Sequence, residues 1–209
     1  MIVFSDKSRR LFYYHTDTKE TKNLNARGIN SSQYGTIIAF VTLEKDEGDL
    51  NGDGDEEDSI IQYYDTRSET TKNSDETGTN PLALDRYIVF DASEREAGED
   101  FNNDNDIEDS VIRVYDTQTG SVINTKVEGT CPRGFQKSPV IITHDGKLSE
   151  FYIETKKARP LGITGENPSY RDGVLAYERD GLLYIYTAGT ERPLNIHCLL
   201  YTSLSPRDS

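Results

Sequence analysis

The sequence has no tryptophan, one methionine and only two cysteines in 209 residues. Two cysteines cannot build the disulfide framework that staples small secreted scaffolds, and Cys131, set before Pro132 with no organised histidine, reads as inert. Hydrophobic residues make up 34% of the chain, and no apolar run approaches bilayer length, so no membrane insertion is expected. The three histidines are scattered, at 15, 144 and 197. No Gly-x-Ser-x-Gly stretch occurs, which excludes the nucleophile elbow of hydrolases. No phosphate-binding glycine loop is present either, because Gly52-Asp53-Gly54 is ringed by carboxylates that repel anions. Met1–Asp6 lacks a basic stretch followed by an apolar one, so no signal peptide is visible.

Positive charge is also scarce. The net charge is −14, and its placement is uneven. Residues 44–58 hold nine acids and one lysine; residues 94–109 hold eight acids and one arginine. These two stretches carry −8 and −7, which leaves the rest of the chain at +1. Acidic balance of this kind argues against nucleic acid and anionic membrane surfaces as partners. Two such clusters repel themselves unless counter-ions hold them together.

Inside the clusters the oxygens are regularly spaced. Asp49, Asn51, Asp53, Asp55 and Asp58 fall at positions one, three, five, seven and ten, and so do Asp100, Asn102, Asp104, Asp106 and Asp109. Alternate oxygens on a tight turn can converge on one point, which suits a hard divalent cation with six to eight oxygen ligands. Gly52 and Gly54 permit the tight path in the first loop; Asn103 and Asn105 replace them in the second. The Asp-Leu-Asn-Gly-Asp-Gly core resembles the calcium loops of EF-hand and dockerin modules. The resemblance implies two bound Ca2+ ions and the ten ligands named above. It covers ligand spacing only: position twelve, a glutamate in the EF-hand, is Ile60 or Val111, and the flanks read as strands.

A repeat runs through the chain. Tyr14-His15-Thr16, Tyr64-Asp65-Thr66 and Tyr115-Asp116-Thr117 recur at steps of 50 and 51 residues, with Asn23, Asn73 and Asn124 following each. Two short β-branched or aromatic runs precede each landmark: Ile2–Phe4 with Leu11–Tyr14, Thr36–Val41 with Ile60–Tyr64, and Tyr87–Phe90 with Val111–Tyr115. Later pairs are shorter, Pro139–Thr143 with Phe151–Ile153 and Val174–Tyr177 with Leu182–Tyr186, joined by the hairpin dipeptides Asp145-Gly146 and Asp180-Gly181. The acidic stretches occupy that same hairpin position, as insertions at its tip. Asn30–Tyr34, Asn80–Leu84, Asn167–Tyr170 and part of Cys131–Lys137 supply a strand before each pair, except in the first unit.

The unit is thus a four-stranded antiparallel sheet. With Thr36–Val41 apolar on both faces, such sheets must be sandwiched between neighbours, which a propeller achieves by radial stacking. The pattern resembles the TolB-type β-propeller over roughly residues 2–195. The expected fold class is all-β, a propeller fragment of about five blades whose first blade lacks its innermost strand.

Neither end reads as a natural terminus. Cys198–Asp208 resembles a translated sequencing adapter with Leu204 in place of a proline, so residues 1–197 are expected to form one domain and 198–209 a non-native tail. The expected function is that of an extracellular or cell-surface calcium-binding propeller, a scaffold for a protein or carbohydrate ligand. The alternative is the propeller of a larger prolyl-oligopeptidase-like hydrolase whose catalytic domain lies elsewhere.

Overall fold

The computed structural model describes residues 1–134 and 139–194; the tail beginning at Cys198 and part of the Cys131–Lys137 segment lie outside these. The first sheet has three strands in chain order, β1 (Ile2–Ser5), β2 (Arg10–Tyr14) and β3 (Thr21–Arg27). Four sheets of four strands follow, each an antiparallel meander. The second sheet holds β4 (Ile29–Tyr34), β5 (Ile37–Leu43), β6 (Ser59–Asp65) and β7 (Thr70–Thr77). The third holds β8 (Thr79–Leu84), β9 (Tyr87–Ser93), β10 (Ser110–Asp116) and β11 (Ser121–Glu128). The fourth comprises β12 (Thr130–Arg133), β13 (Val140–His144), β14 (Lys147–Tyr152) and β15 (Lys157–Thr164). The fifth comprises β16 (Glu166–Arg171), β17 (Val174–Arg179), β18 (Leu182–Thr187) and β19 (Thr190–Pro193).

Every strand pair expected from the repeat forms, and the first sheet does lack a strand. One boundary moves. The strand expected at Phe151–Ile153 starts at Lys147, directly after Asp145 (φ 49°) and Gly146 (φ 69°). Two left-handed residues in a row make the tight turn that pairs His144 with Lys147, so the strand begins where the turn ends. Unforeseen in the sequence are two single helical turns, α1 (Glu44–Glu47) and α2 (Glu94–Ala97), which open the two acidic loops.

The core is four separate seams, one between each pair of neighbouring sheets. Alternation along the second strand of each sheet feeds two seams at once. Ile38 and Phe40 pack back against Leu11, Tyr13 and Leu24 of the first sheet. Ile37, Ala39 and Val41 pack forward against Ile88, Phe90 and Ala92 of the third. Val89 then points onward to Val140 and Ile142, and Ile141 to Leu175 and Tyr177. Tyrosines of neighbouring third strands meet in the same seams, Tyr13 with Tyr64 at 6.0 Å between ring centroids and Tyr63 with Tyr115 at 5.8 Å. Burial pushes the Tyr63 hydroxyl up to about 12.

A glycine stands at each junction between sheets because a second-strand side chain presses against it: Phe40 on Gly28, Phe90 on Gly78, Ile142 on Gly129 and Tyr177 on Gly165. A Cβ on Gly78 would stand 2.5 Å from Phe90 Cδ2 and 3.0 Å from the Asp91 carbonyl oxygen. Gly78→Ala should therefore cost about 1–3 kcal/mol through overpacking, read as a lower urea midpoint at unchanged m-value.

A buried carboxylate ties the third sheet to the fourth. Asp91 accepts hydrogen bonds from the Thr79 hydroxyl at 2.8 Å, the Asn80 amide at 3.1 Å and the Cys131 N–H at 3.0 Å. Burial raises its pKa despite these donors. The folded state therefore favours the proton, and that part of stability is full below the unfolded carboxylate range and lost as pH rises through the folded value. Urea midpoints for Asp91→Asn, which cannot ionise, should improve relative to wild type as pH climbs from about 3.5 to about 7.

Candidate metal centre

Both acidic loops connect the second and third strands of their sheet, from Leu43 to Ser59 and from Ser93 to Ser110. Each is organised by a glutamate that the spacing argument missed. In the first loop Glu44, fully buried, accepts the Leu50 and Asn51 N–H groups on Oε1 at 2.8 and 3.2 Å and the Asp58 N–H on Oε2 at 3.2 Å. In the second, Glu94, also fully buried, accepts the Phe101 and Asn102 N–H groups on Oε1 at 2.6 and 3.1 Å. Each glutamate sits in the helical turn at the loop entrance, whose Glu44 or Glu94 N–H bonds back to the Asp58 or Asp109 carbonyl at 3.0 Å.

From there the loops coil through the same succession of side-chain-capped turns. Asp49 accepts the Gly52 and Gly54 N–H groups, Asn51 that of Asp53, Asp53 that of Asp55, and Asp55 that of Glu57. Asp100 accepts from Asn103 and Asn105, Asn102 from Asp104, Asp104 from Asp106, and Asp106 from Glu108. Each carboxylate that caps a turn with one oxygen can turn the other inward. Left-handed backbone at Gly52, Gly54, Asn103 and Asn105 makes the coil possible, as the residue types suggested.

Convergence is fullest in the second loop. Carboxylate oxygens of Glu94, Asp106 and Asp109 lie within 4.8 Å of one another, as do those of Asp104, Asp109 and Glu128. Asp109 belongs to both sets. Burial, then the charges of Glu128, Asp106 and Asp104, raise its pKa. Glu94 Oε2 is buried with no hydrogen-bond partner, a donor atom suited to a cation. Burial likewise raises the pKa of Asp58 in the first loop, where Asp53 and Glu44 add repulsion and Thr77 and Asn51 partly offset it. Asp53 has its pKa lowered by the Asp55 N–H.

No protein-family model matches the chain, and no curated protein sequence does. Solved structures do. TolB from Acinetobacter baumannii superposes with a TM-score of 0.57 at 16% identity, over 92% of this chain and 51% of TolB. The tricorn protease gives 0.63 at 13% identity, over 91% of this chain and 24% of that one. Oligogalacturonate lyase from Vibrio parahaemolyticus gives 0.58 at 10% identity, over 92% and 61%. The sheets are β-propeller blades. At such identities the likeness concerns the fold alone, and the chain spans about half the length of TolB.

Propeller stacking brings the two loops out at the same end. Innermost strands β4 and β8 lie side by side, with the Ala83 N–H donating to Ser32 Oγ at 3.0 Å, a near-equivalent level of the two blades. Blades that touch level to level send corresponding hairpins to one face. His15, in contrast, sits in the turn after β2 and accepts the Thr18 N–H on Nδ1 at 3.3 Å. That is the turn role Asp65 and Asp116 play for the Arg67 and Gln118 N–H groups.

The repeat's asparagine landmark secures each loop from the outer strand. Asn73 Nδ2 donates to the Leu50 carbonyl at 2.7 Å and Asn124 Nδ2 to the Phe101 carbonyl at 2.9 Å. Recurrence at a fixed offset from Tyr-Asp-Thr was the signal that could have singled them out. Asn124→Ala should unseat the second loop at a cost of about 1–3 kcal/mol, visible as faster amide exchange at Phe101 and Asn102 while third-sheet strand amides stay protected.

Proposed function

We propose that this propeller is a calcium-binding recognition module, with one ion in each of the two acidic loops at one end of the blades. The observation that carries the reading is the convergence of carboxylate oxygens from separate turns of the second loop. In the first loop the ligands are Asp49, Asn51, Asp53, Asp55 and Asp58; in the second, Asp100, Asn102, Asp104, Asp106 and Asp109. A carboxylate-rich, irregular oxygen cage suits Ca2+, whereas Mg2+ demands a tighter octahedron and keeps its waters. The ions would neutralise clusters that otherwise repel themselves and would hold the loop face in one shape for a protein or carbohydrate ligand. Exposed loops of this kind fit a medium with millimolar calcium, so the module is placed outside the cell or on its surface. Among the described residues no helix is long and apolar enough to cross a membrane. The rival reading, a propeller attached to a hydrolase, has the tricorn likeness behind it but no residue of this chain.

Calcium should raise the melting temperature and a chelator should lower it. A site that binds only the folded chain contributes about 2.7 kcal/mol at a hundredfold excess over Kd. Magnesium should do less at equal concentration. Melting curves indifferent to calcium and chelator alike would overturn the assignment.

A further inference from the structure

The two loops share a coil but not a cage. In the first, both oxygens of the buried glutamate are taken: Glu44 Oε1 by the Leu50 and Asn51 N–H groups, Oε2 by the Asp58 N–H. In the second, Glu94 Oε2 is left buried without a partner, in a carboxylate that approaches Asp106 and Asp109. The last residue of the outer strand differs too. Thr77, opposite Ile60, donates its hydroxyl to Asp58 Oδ2 at 3.2 Å. Glu128, at the same level opposite Val111, brings a carboxylate toward Asp104 and Asp109. Asn51 Nδ2 donates to Asp58 and Asp53 in the first loop, at 2.9 and 3.1 Å. Its counterpart Asn102 donates to Glu128 and Asp104, at 3.0 and 3.1 Å. Two sets of three carboxylates thus share Asp109, one with Glu94 and Asp106 and the other with Asp104 and Glu128, five carboxylates in all. At the corresponding positions the first loop has Glu44, already saturated, then Asp53, Asp55 and Asp58, with the neutral Thr77 fifth. Among the described residues, the two sets of three acidic groups close enough to hold an ion both include Asp109 of the second loop.

We infer that the second loop is the high-affinity cation site of the pair, and that Glu94 and Glu128, from outside the regularly spaced ligands, complete it. This rests on the calcium-loop reading above. Ligand charge count and site rigidity tune calcium affinity over orders of magnitude. The second cage has one more charge, plus a donor atom fixed in place and already stripped of water. Filling is therefore sequential, with the second loop loaded at calcium levels that leave the first empty.

The test is a calcium titration of the full chain, starting from chelator-treated protein and followed by 1H–15N spectra. Gly52 and Gly54 report on the first loop and Gly98, beside Asp100, on the second. Gly98 should shift first, with a midpoint about tenfold or more below that of Gly52 and Gly54. Glu128→Thr, which copies the first loop, should bring the two midpoints together; Thr77→Glu should tighten the first loop. Glu94→Gln keeps an acceptor for the Phe101 N–H but replaces the free oxygen, and should weaken the second loop alone. If the two loops fill together in the wild type, if the first fills before the second, or if Glu128→Thr and Thr77→Glu leave the order unchanged, the inference is wrong and the calcium reading stands. If calcium shifts neither loop, both fall.

Discussion

Everything in this molecule depends on sheets whose two faces are both buried. A sheet covered on one side alternates apolar and polar along each strand. Ile37–Val41 does not, because Ile38 and Phe40 serve one seam while Ile37, Ala39 and Val41 serve the next. Each blade is therefore stable only between neighbours. The seams press a large side chain, aromatic at three of the four junctions, against the glycine that links one sheet to the next. With only 34% hydrophobic residues, the chain meets this demand by spending its apolar side chains on second and third strands and leaving outer strands polar.

That frame explains why the acidic stretches can exist at all. A hairpin tip between two deeply paired strands can take an insertion of this length without breaking the strand pairing beneath it. The inserted loop then solves its backbone problem locally: a buried glutamate satisfies the N–H groups at its neck, and carboxylates spaced two apart cap the turns beyond. Carboxylates acting as caps are already gathered and oriented, so a cation finds oxygens in place. Burial, and then repulsion from neighbouring carboxylates, raises the pKa values of Asp58 and Asp109, a cost that a bound divalent ion would relieve.

What the sequence made legible follows the reach of each signal. Strands, hairpins and the missing first strand were readable because periodicity and turn dipeptides act within a few residues. The regular spacing of oxygens at positions one, three, five, seven and ten, and the coil of capped turns it builds, was readable for the same reason. Glu44 and Glu94 were not, because a buried carboxylate five or six residues upstream looks like one more charge in an acidic run. Thr77 and Glu128 were hidden by distance, since they reach the loops only after the outer strand has turned back along the sheet. Equivalent offsets across the repeats held that information. Using it required knowing that the end of the outer strand comes to lie beside the loop, which topology supplies and local pattern does not.

The second loop is also bound into the seam, so an ion held there would be coupled to fold stability. Phe101, 2% exposed, leaves the loop to join Ile61 and Tyr63 of the preceding blade. The guanidinium of Arg113 stacks on its ring at 4.4 Å and pairs with Glu76 of that same blade. Burial raises the pKa of Glu76, Arg113 opposes the rise, and the charge of Glu99 in the loop adds to it. On the other side Glu128 lies 3.3 Å from His144 Nε2 of the following blade. The loop's own N–H groups at Phe101 and Asn102 hang on Glu94. An ion bound at Glu94 and Glu128, as proposed, would therefore act on residues of three consecutive blades. Leu50, at the position of Phe101 in the first loop, is only partly buried and belongs to none of the four seam clusters. The first loop instead leans on the blade before it through Arg9 with Asp46 and Arg27 with Glu47, pairs on half-exposed side chains that contribute little in water. Two insertions of one repeated pattern thus couple differently to the frame: one is an appendage with a charge cluster, the other a wedge whose charge cluster is fixed to the packing of its neighbours.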